Sequence, residues 1–127
     1  MTDKEFSVCT MADDLLLLTL DMCDRESKRP RTPKRLHRSL VDRIILTACA
    51  IQEETILANE TDLNALRSDR AAHQQEAMRR CVVLRHQTRI LHEKGYISEK
   101  QRDRWQKLTV GLYWKLHAWM KADSKRQ

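Results

Sequence analysis

Residues 98–121 read SEKQRDRWQKLTVGLYWKLHAWMK, and this stretch decides the fold. Ser98, with Gln101 three residues on, has the form of a capping box. Gly95 just ahead is a natural stop for a preceding helix. Trp105, Leu108, Leu112, Leu116 and Trp119 recur at helical spacing and form one apolar face, which is expected in a core. Val110, Tyr113, Trp114 and His117 form a second stripe, roughly opposite the first at 100° per residue. A helix that is apolar on two sides is buried on two sides. The chain has 127 residues, the size of one domain, so the second side is expected to meet another subunit. Trp105 and Trp119 are expected in the core and Trp114 in that interface.

Upstream of Gly95 the pattern stays helical. Ala77, Cys81, Leu84, Thr88 and Leu91 form one stripe, flanked by Val82, Val83 and Ile90. Leu36, Leu40, Ile44, Ala48, Ile51 and Thr55 form another, with a narrower second stripe of Ile45, Cys49 and Ile56. Val8, Met11, Leu15, Leu18 and Met22, beside Ala12 and Thr19, make a third. The sequence contains only two Gly and two Pro, and strand signals are nearly absent. Helices are therefore expected at about 4–24, 33–59, 65–94 and 98–121, with Asp62 or Ser68 capping the third. Residues after Lys121 are expected to fray. Short links between amphipathic helices make neighbours antiparallel, so the expected fold is all-α: a single up-down-up-down four-helix bundle spanning 1–127.

The net charge of +6 is unevenly spread. Residues 1–24 carry one base and six acids, while 25–43 carry eight bases and two acids. Residues 44–78 are acidic again, and 79–98 and 99–127 are basic. In an up-down-up-down bundle the basic stretches meet at one end. Arg25, Lys28, Arg29, Arg31, Lys34, Arg35 and Arg38 join Arg85, Arg89, Lys94, Lys100, Arg102 and Arg104 there. Such an end attracts phosphate backbones without reading sequence. The plainer reading is a solvated helical surface.

Catalytic signatures are missing. There is no phosphate-binding Gly-rich loop, no HExxH and no nucleophile motif. His37, His73, His86, His92 and His117 are scattered, and His73 with Glu76 has the wrong order for a carboxylate-bundle metal site. Cys9, Cys23, Cys49 and Cys81 form no CxxC pair and are expected to be reduced and mostly buried. No enzyme activity, metal or cofactor is expected. No run approaches the roughly 18 apolar residues of a membrane span. No basic leader precedes a long apolar run either, so no membrane contact and a cytoplasmic location are expected.

The order of these signals resembles a known family. AIQEETILANE closing the second helix, the Arg-led third helix RAAHQQEAMRRCVVLRHQTRILHEKGYIS, and EKQRDRWQKLTVGLYWKLHAWMK resemble the Avd-like four-helix-bundle proteins. Avd is the accessory variability determinant of diversity-generating retroelements, and proteins encoded in 23S rRNA intervening sequences are related to it. The match covers helices two to four, 36–121. It is best at Ala58-Asn59-Glu60, at Ile97-Ser98-Glu99-Lys100-Gln101, and at Gly111 with Trp119-Met120-Lys121. The chain departs from the family where paired glycines often precede the last Trp, since His117 and Ala118 stand there.

The resemblance implies a ring-shaped homopentamer that binds a reverse transcriptase and RNA or DNA, and supports mutagenic reverse transcription. Candidate contacts are Arg25, Lys28, Arg29, Arg31, Lys34, Arg35, Arg38, Arg79, Arg80, Arg85 and Arg89. Val110, Tyr113, Trp114 and His117 are the candidate oligomer interface. The alternatives are an intervening-sequence-type RNA-binding protein without a polymerase partner, and a structural bundle with no nucleic-acid role.

Overall fold

The computed structural model describes residues 3–24 and 32–126. Among them there are four long helices and no strand: α1 (Asp3–Met22), α2 (Asp42–Glu60), α3 (Arg67–Glu93) and α4 (Glu99–Lys125). Each helix packs on two others. α1 touches α2 and α4, and α3 touches α2 and α4, while α1 and α3 do not meet among the described residues. Between them lies one core. Trp105, Trp119, Leu15, Ile44, Ile51, Leu84, Leu91, Leu112 and Leu116 are its largest fully buried apolar side chains.

The expected stripes supply most of this core, with Met11 and Met22 of α1 only half-buried. Val8, Ala12, Leu15, Leu18 and Thr19 are buried on α1, and Ala77, Cys81, Leu84, Thr88 and Leu91 on α3. On α4, Leu108 is half-buried and Thr109 is buried in its place. Threonine is tolerated inside because its hydroxyl donates to the preceding turn of its own helix. Thr109 Oγ1 donates to the Trp105 carbonyl at 2.8 Å, and Thr19, Thr55 and Thr88 make equivalent bonds to Leu15, Ile51 and Arg85.

The start of α2 departs from the expected continuous helix. Pro33 has extended backbone, and the chain then forms a 3₁₀ turn at Lys34–Leu36 and a π turn at His37–Val41 before the α-helix begins. A π turn holds more residues per turn than an α turn. Leu36 and Leu40 therefore sit off the line of Ile44, Ala48 and Ile51, and are only half-buried.

Neither Asp62 nor Ser68 caps α3. Leu66 is its N-cap residue and makes no side-chain cap bond. Asp62 instead closes the preceding turn, accepting from the Asn64 and Ala65 amides at 2.8 and 3.1 Å. Those amides, Ala65 first and then Asn64, hold its carboxyl below the usual carboxylate range.

The link from α3 to α4 follows the sequence closely. Gly95 has φ 76°, the left-handed conformation that glycine adopts without a Cβ penalty. The Tyr96 amide donates to the Leu91 carbonyl and the Gly95 amide to that of His92, both at 2.9 Å. These two bonds make a Schellman stop. Two residues later the Ser98–Gln101 box is complete. The Gln101 amide donates to Ser98 Oγ at 3.1 Å, and the Ser98 amide to Gln101 Oε1 at 2.8 Å.

The expected frayed tail is instead helical as far as Lys125. The reason is Asp123, which with Arg70 is about 5% exposed and forms a bidentate ion pair. Arg70 Nε and Nη2 donate to the two carboxylate oxygens at 2.7 and 3.1 Å, and Gln74 Nε2 adds a third bond at 2.8 Å. Arg67 Nη1 donates to the Asp123 carbonyl at 2.6 Å, and the Arg70 guanidinium lies 4.8 Å from the Trp119 ring centroid. This cluster ties the last turn of α4 to the first turns of α3.

Gly111 lies inside α4, where a Cβ would meet Met11 Cε at 3.5 Å, an ordinary contact. Gly111→Ala is therefore expected to stabilise the helix by about 0.5–1 kcal/mol. A thermal melt at fixed protein concentration should show a rise of about 2–4 °C. A fall would mean that α1 and α4 need closer approach than this geometry has.

Candidate nucleic-acid and subunit interfaces

The candidate cations divide into groups. Arg25, Lys28, Arg29 and Arg31 lie outside the described residues. Lys34 and Arg35 on the 3₁₀ turn and Arg38 on the π turn are all exposed. Arg79 and Arg80 flank one carboxylate, with Arg80 Nε 2.8 Å and Arg79 Nη1 3.8 Å from Glu76. Their joint excess is thus one charge. Arg85 and Arg89 are exposed on α3, four residues apart and so on one shoulder of the helix. Arg102, counted in the basic end, is half-buried. It pairs with Asp103 at 2.8 Å and Glu99 at 3.6 Å, so it adds little net field.

The candidate subunit stripe is not quite opposite the core. Val110, Tyr113 and His117 are half-buried, and Trp114 alone is mostly exposed, at 58%. They form the α4 wall of a groove whose other wall is α3. A depression of about 200 Å³ lies between Cys81, Val82 and Arg85 on one side and Thr109, Val110, Tyr113 and Trp114 on the other. Towards the end of α4 a second depression, bounded by Arg79, Val82, Tyr113 and Met120, continues the same line. Trp114 stands edge-on to Tyr113 and His117, with centroid distances of 5.0 and 5.5 Å. Such edge contacts hold the indole in place without burying it. The groove floor is apolar and its α3 rim is cationic.

Of the four cysteines expected to be mostly buried, Cys81 is buried and Cys9, Cys23 and Cys49 are half-buried, and at two of them thiol chemistry is unfavourable. Burial pushes Cys23 up to about 12, with the Asp42 carboxylate adding to the effect, and burial alone pushes Cys81 up to about 12. Neither forms a thiolate nucleophile near neutral pH. His73 Nδ1 lies 2.5 Å from Glu54 Oε2, a half-buried link between α3 and α2. Among the described residues no three His, Cys, Asp or Glu side chains gather as metal ligands, and no helix is long and apolar enough to cross a membrane.

Sequence periodicity missed Arg70, Gln74 and Asp123, because it counts apolar residues only. The signal was nevertheless present. Asp123 follows Trp119 by four residues, on the core face of α4, and Gln74 and Arg70 precede Ala77 and Cys81 at helical spacing on the core face of α3. A lone acid on one core stripe and a lone base on another is the pattern of a buried pair.

Compared with known proteins, the chain matches no protein-family model, no curated protein and no solved structure.

Proposed function

We propose that this chain is a non-enzymatic, cytoplasmic accessory protein of a diversity-generating retroelement. It assembles as a ring, a pentamer, and presents basic surface to a reverse transcriptase and its RNA or cDNA. The observation that carries the polyanion-binding part is the run of exposed cations Lys34, Arg35 and Arg38 at the entry to α2. The polymerase, the pentamer and the retroelement rest on the family resemblance.

The bundle is proposed to run up-down-up-down. Support comes from pairs of contacts between helices. Ser7 meets Lys115 and Thr19 meets Trp105, so α1 and α4 progress in opposite senses. Arg70 meets Asp123 and Thr88 meets Gln106, which says the same of α3 and α4. In that arrangement Lys34, Arg35 and Arg38 share an end with Arg85 and Arg89, while Arg79 and Arg80 lie nearer mid-helix.

Binding of this kind is electrostatic positioning. Three phosphate contacts per protomer give a slope of about −2 in log affinity against log salt on a single strand. Between about 50 and 200 mM salt each engaged protomer then loses about 15-fold in affinity. Replacing Lys34, Arg35 and Arg38 together by Ala should abolish that protomer's share of the slope. RNA retention indifferent to both salt and the triple substitution would exclude this surface as the contact. Capture of a retroelement reverse transcriptase by the wild-type protein supports the accessory role. RNA retention without such capture moves the reading to the intervening-sequence type.

A further inference from the structure

Helix α1 carries an outward face that is both apolar and acidic. Leu17 is 60% and Leu20 44% exposed, and Asp13, Asp14 and Asp21 are exposed beside them. From Glu5 to Asp24 the sequence has no Lys or Arg. Asp13 accepts from Gln52 of α2 at 3.0 Å. Asp14 and Asp21 line a depression shared with Arg104 and Lys107 of α4, and no ion pair among the described residues includes either carboxylate. Two exposed leucines three residues apart, set among acids, have the form of an anionic amphipathic ridge.

The α3/α4 groove is its complement. Trp114 and Val82 give its walls exposed apolar surface, and Arg79 and Arg85 give it a cationic rim. The two depressions run along α4 from Thr109 to Met120, about 17 Å, which is long enough to seat the part of α1 from Asp14 to Asp21, about 11 Å. The two surfaces cannot cover each other within one chain, because α1 does not touch α3 among the described residues and its leucine face points away from the core.

We propose that they cover each other between copies: α1 of one protomer lies along the α3/α4 groove of the next. Leu17 and Leu20 pack on Trp114 and Val82, and Asp14 and Asp21 face Arg85 and Arg79. The inference rests on the ring reading above and names its contact. Each protomer gives a ridge on one side and a groove on another, so the interface is heterologous, the kind that closes into rings when the rotation between copies allows. Opposite charge fixes the direction of docking, since ridge against ridge and groove against groove both place like charges together. Arg79 and Arg85 then belong to the subunit contact, which leaves Lys34, Arg35, Arg38 and Arg89, with the Glu76-paired Arg80, as described candidate cations open to nucleic acid.

Charge reversal in solution tests this. Native mass is measured by light scattering at fixed concentration for the wild type and for three variants. The first has a reversed ridge (Asp14→Arg with Asp21→Arg), the second a reversed rim (Arg79→Asp with Arg85→Asp), and the third has both. All four positions are exposed, and circular dichroism checks that helicity is kept. The expected result is an oligomer larger than a dimer for the wild type, dissociation for each single reversal, and recovery of the wild-type mass when both are combined. Trp114→Glu is expected to dissociate the assembly by itself. A monomeric wild type overturns the ring reading and this inference together. An oligomeric wild type that is untouched by the single reversals, or not restored by the combined one, overturns only the contact named here.

Discussion

Asp123→Ala is expected to lower the unfolding free energy by about 3–5 kcal/mol, although the residue lies four positions from the end of the sequence. The size follows from what the substitution leaves behind. Arg70 is buried, and both of its bonds to the carboxylate disappear. Gln74 is fully buried and loses the acceptor for its amide, while its Oε1 already has no partner among the described residues. A buried guanidinium without its counter-ion costs far more than the pair contributed. Arg70→Met combined with Asp123→Leu removes both charges and should recover much of the loss, because an apolar pair of similar volume fills the same space.

Urea titration at fixed protein concentration is the measurement, since assembly makes apparent stability concentration-dependent. Ser124→Ala is the control. Its hydroxyl donates to the Lys121 carbonyl of its own helix and is exposed, so it should shift stability by less than about 0.5 kcal/mol. A loss below about 1 kcal/mol for Asp123→Ala would mean that the last turn of α4 is dispensable, as the apolar pattern alone suggests.

The same cluster marks the line between what periodicity can and cannot read. Helix existence, order and core faces were legible because apolar spacing encodes them, and Gly95 and Ser98 encode the α3–α4 link by local rules that need no tertiary context. The extent of α4 was not legible in this way. It depends on Arg70, which is 53 residues away along the chain from Asp123. The winding at the start of α2 was missed for a related reason: both leucines of that segment fit a regular helix on paper, and only packing decides how far they turn inward.

The candidate site divides similarly. The cation runs and the second stripe of α4 can be read from the sequence. That Arg79 and Arg80 share Glu76, and that Tyr113 leans onto the core while Trp114 stays out, depend on distances between side chains.

Trp105→Ala is the second large effect expected, at about 3–5 kcal/mol. Trp105 is fully buried where α4 meets α1, so its removal leaves a cavity that four helices cannot easily close. Its indole N–H also donates to Thr19 Oγ1 at 3.1 Å, while Thr19 donates to the Leu15 carbonyl at 2.8 Å. Thr19→Val keeps the packing but strands that N–H, so it should cost about 1–3 kcal/mol and rank below Trp105→Ala. The reverse ranking would mean that the bond, not the volume, holds α1 to α4. Trp105 and Asp123 are 18 residues apart on one helix, about 27 Å, so their effects should add. The combined loss then rivals the whole stability of a typical domain, about 5–15 kcal/mol. Trp105→Ala with Asp123→Ala is therefore expected to be unfolded at room temperature. A double variant that kept wild-type helicity and a cooperative melt would show that the two ends of α4 are not both needed by one cooperative core.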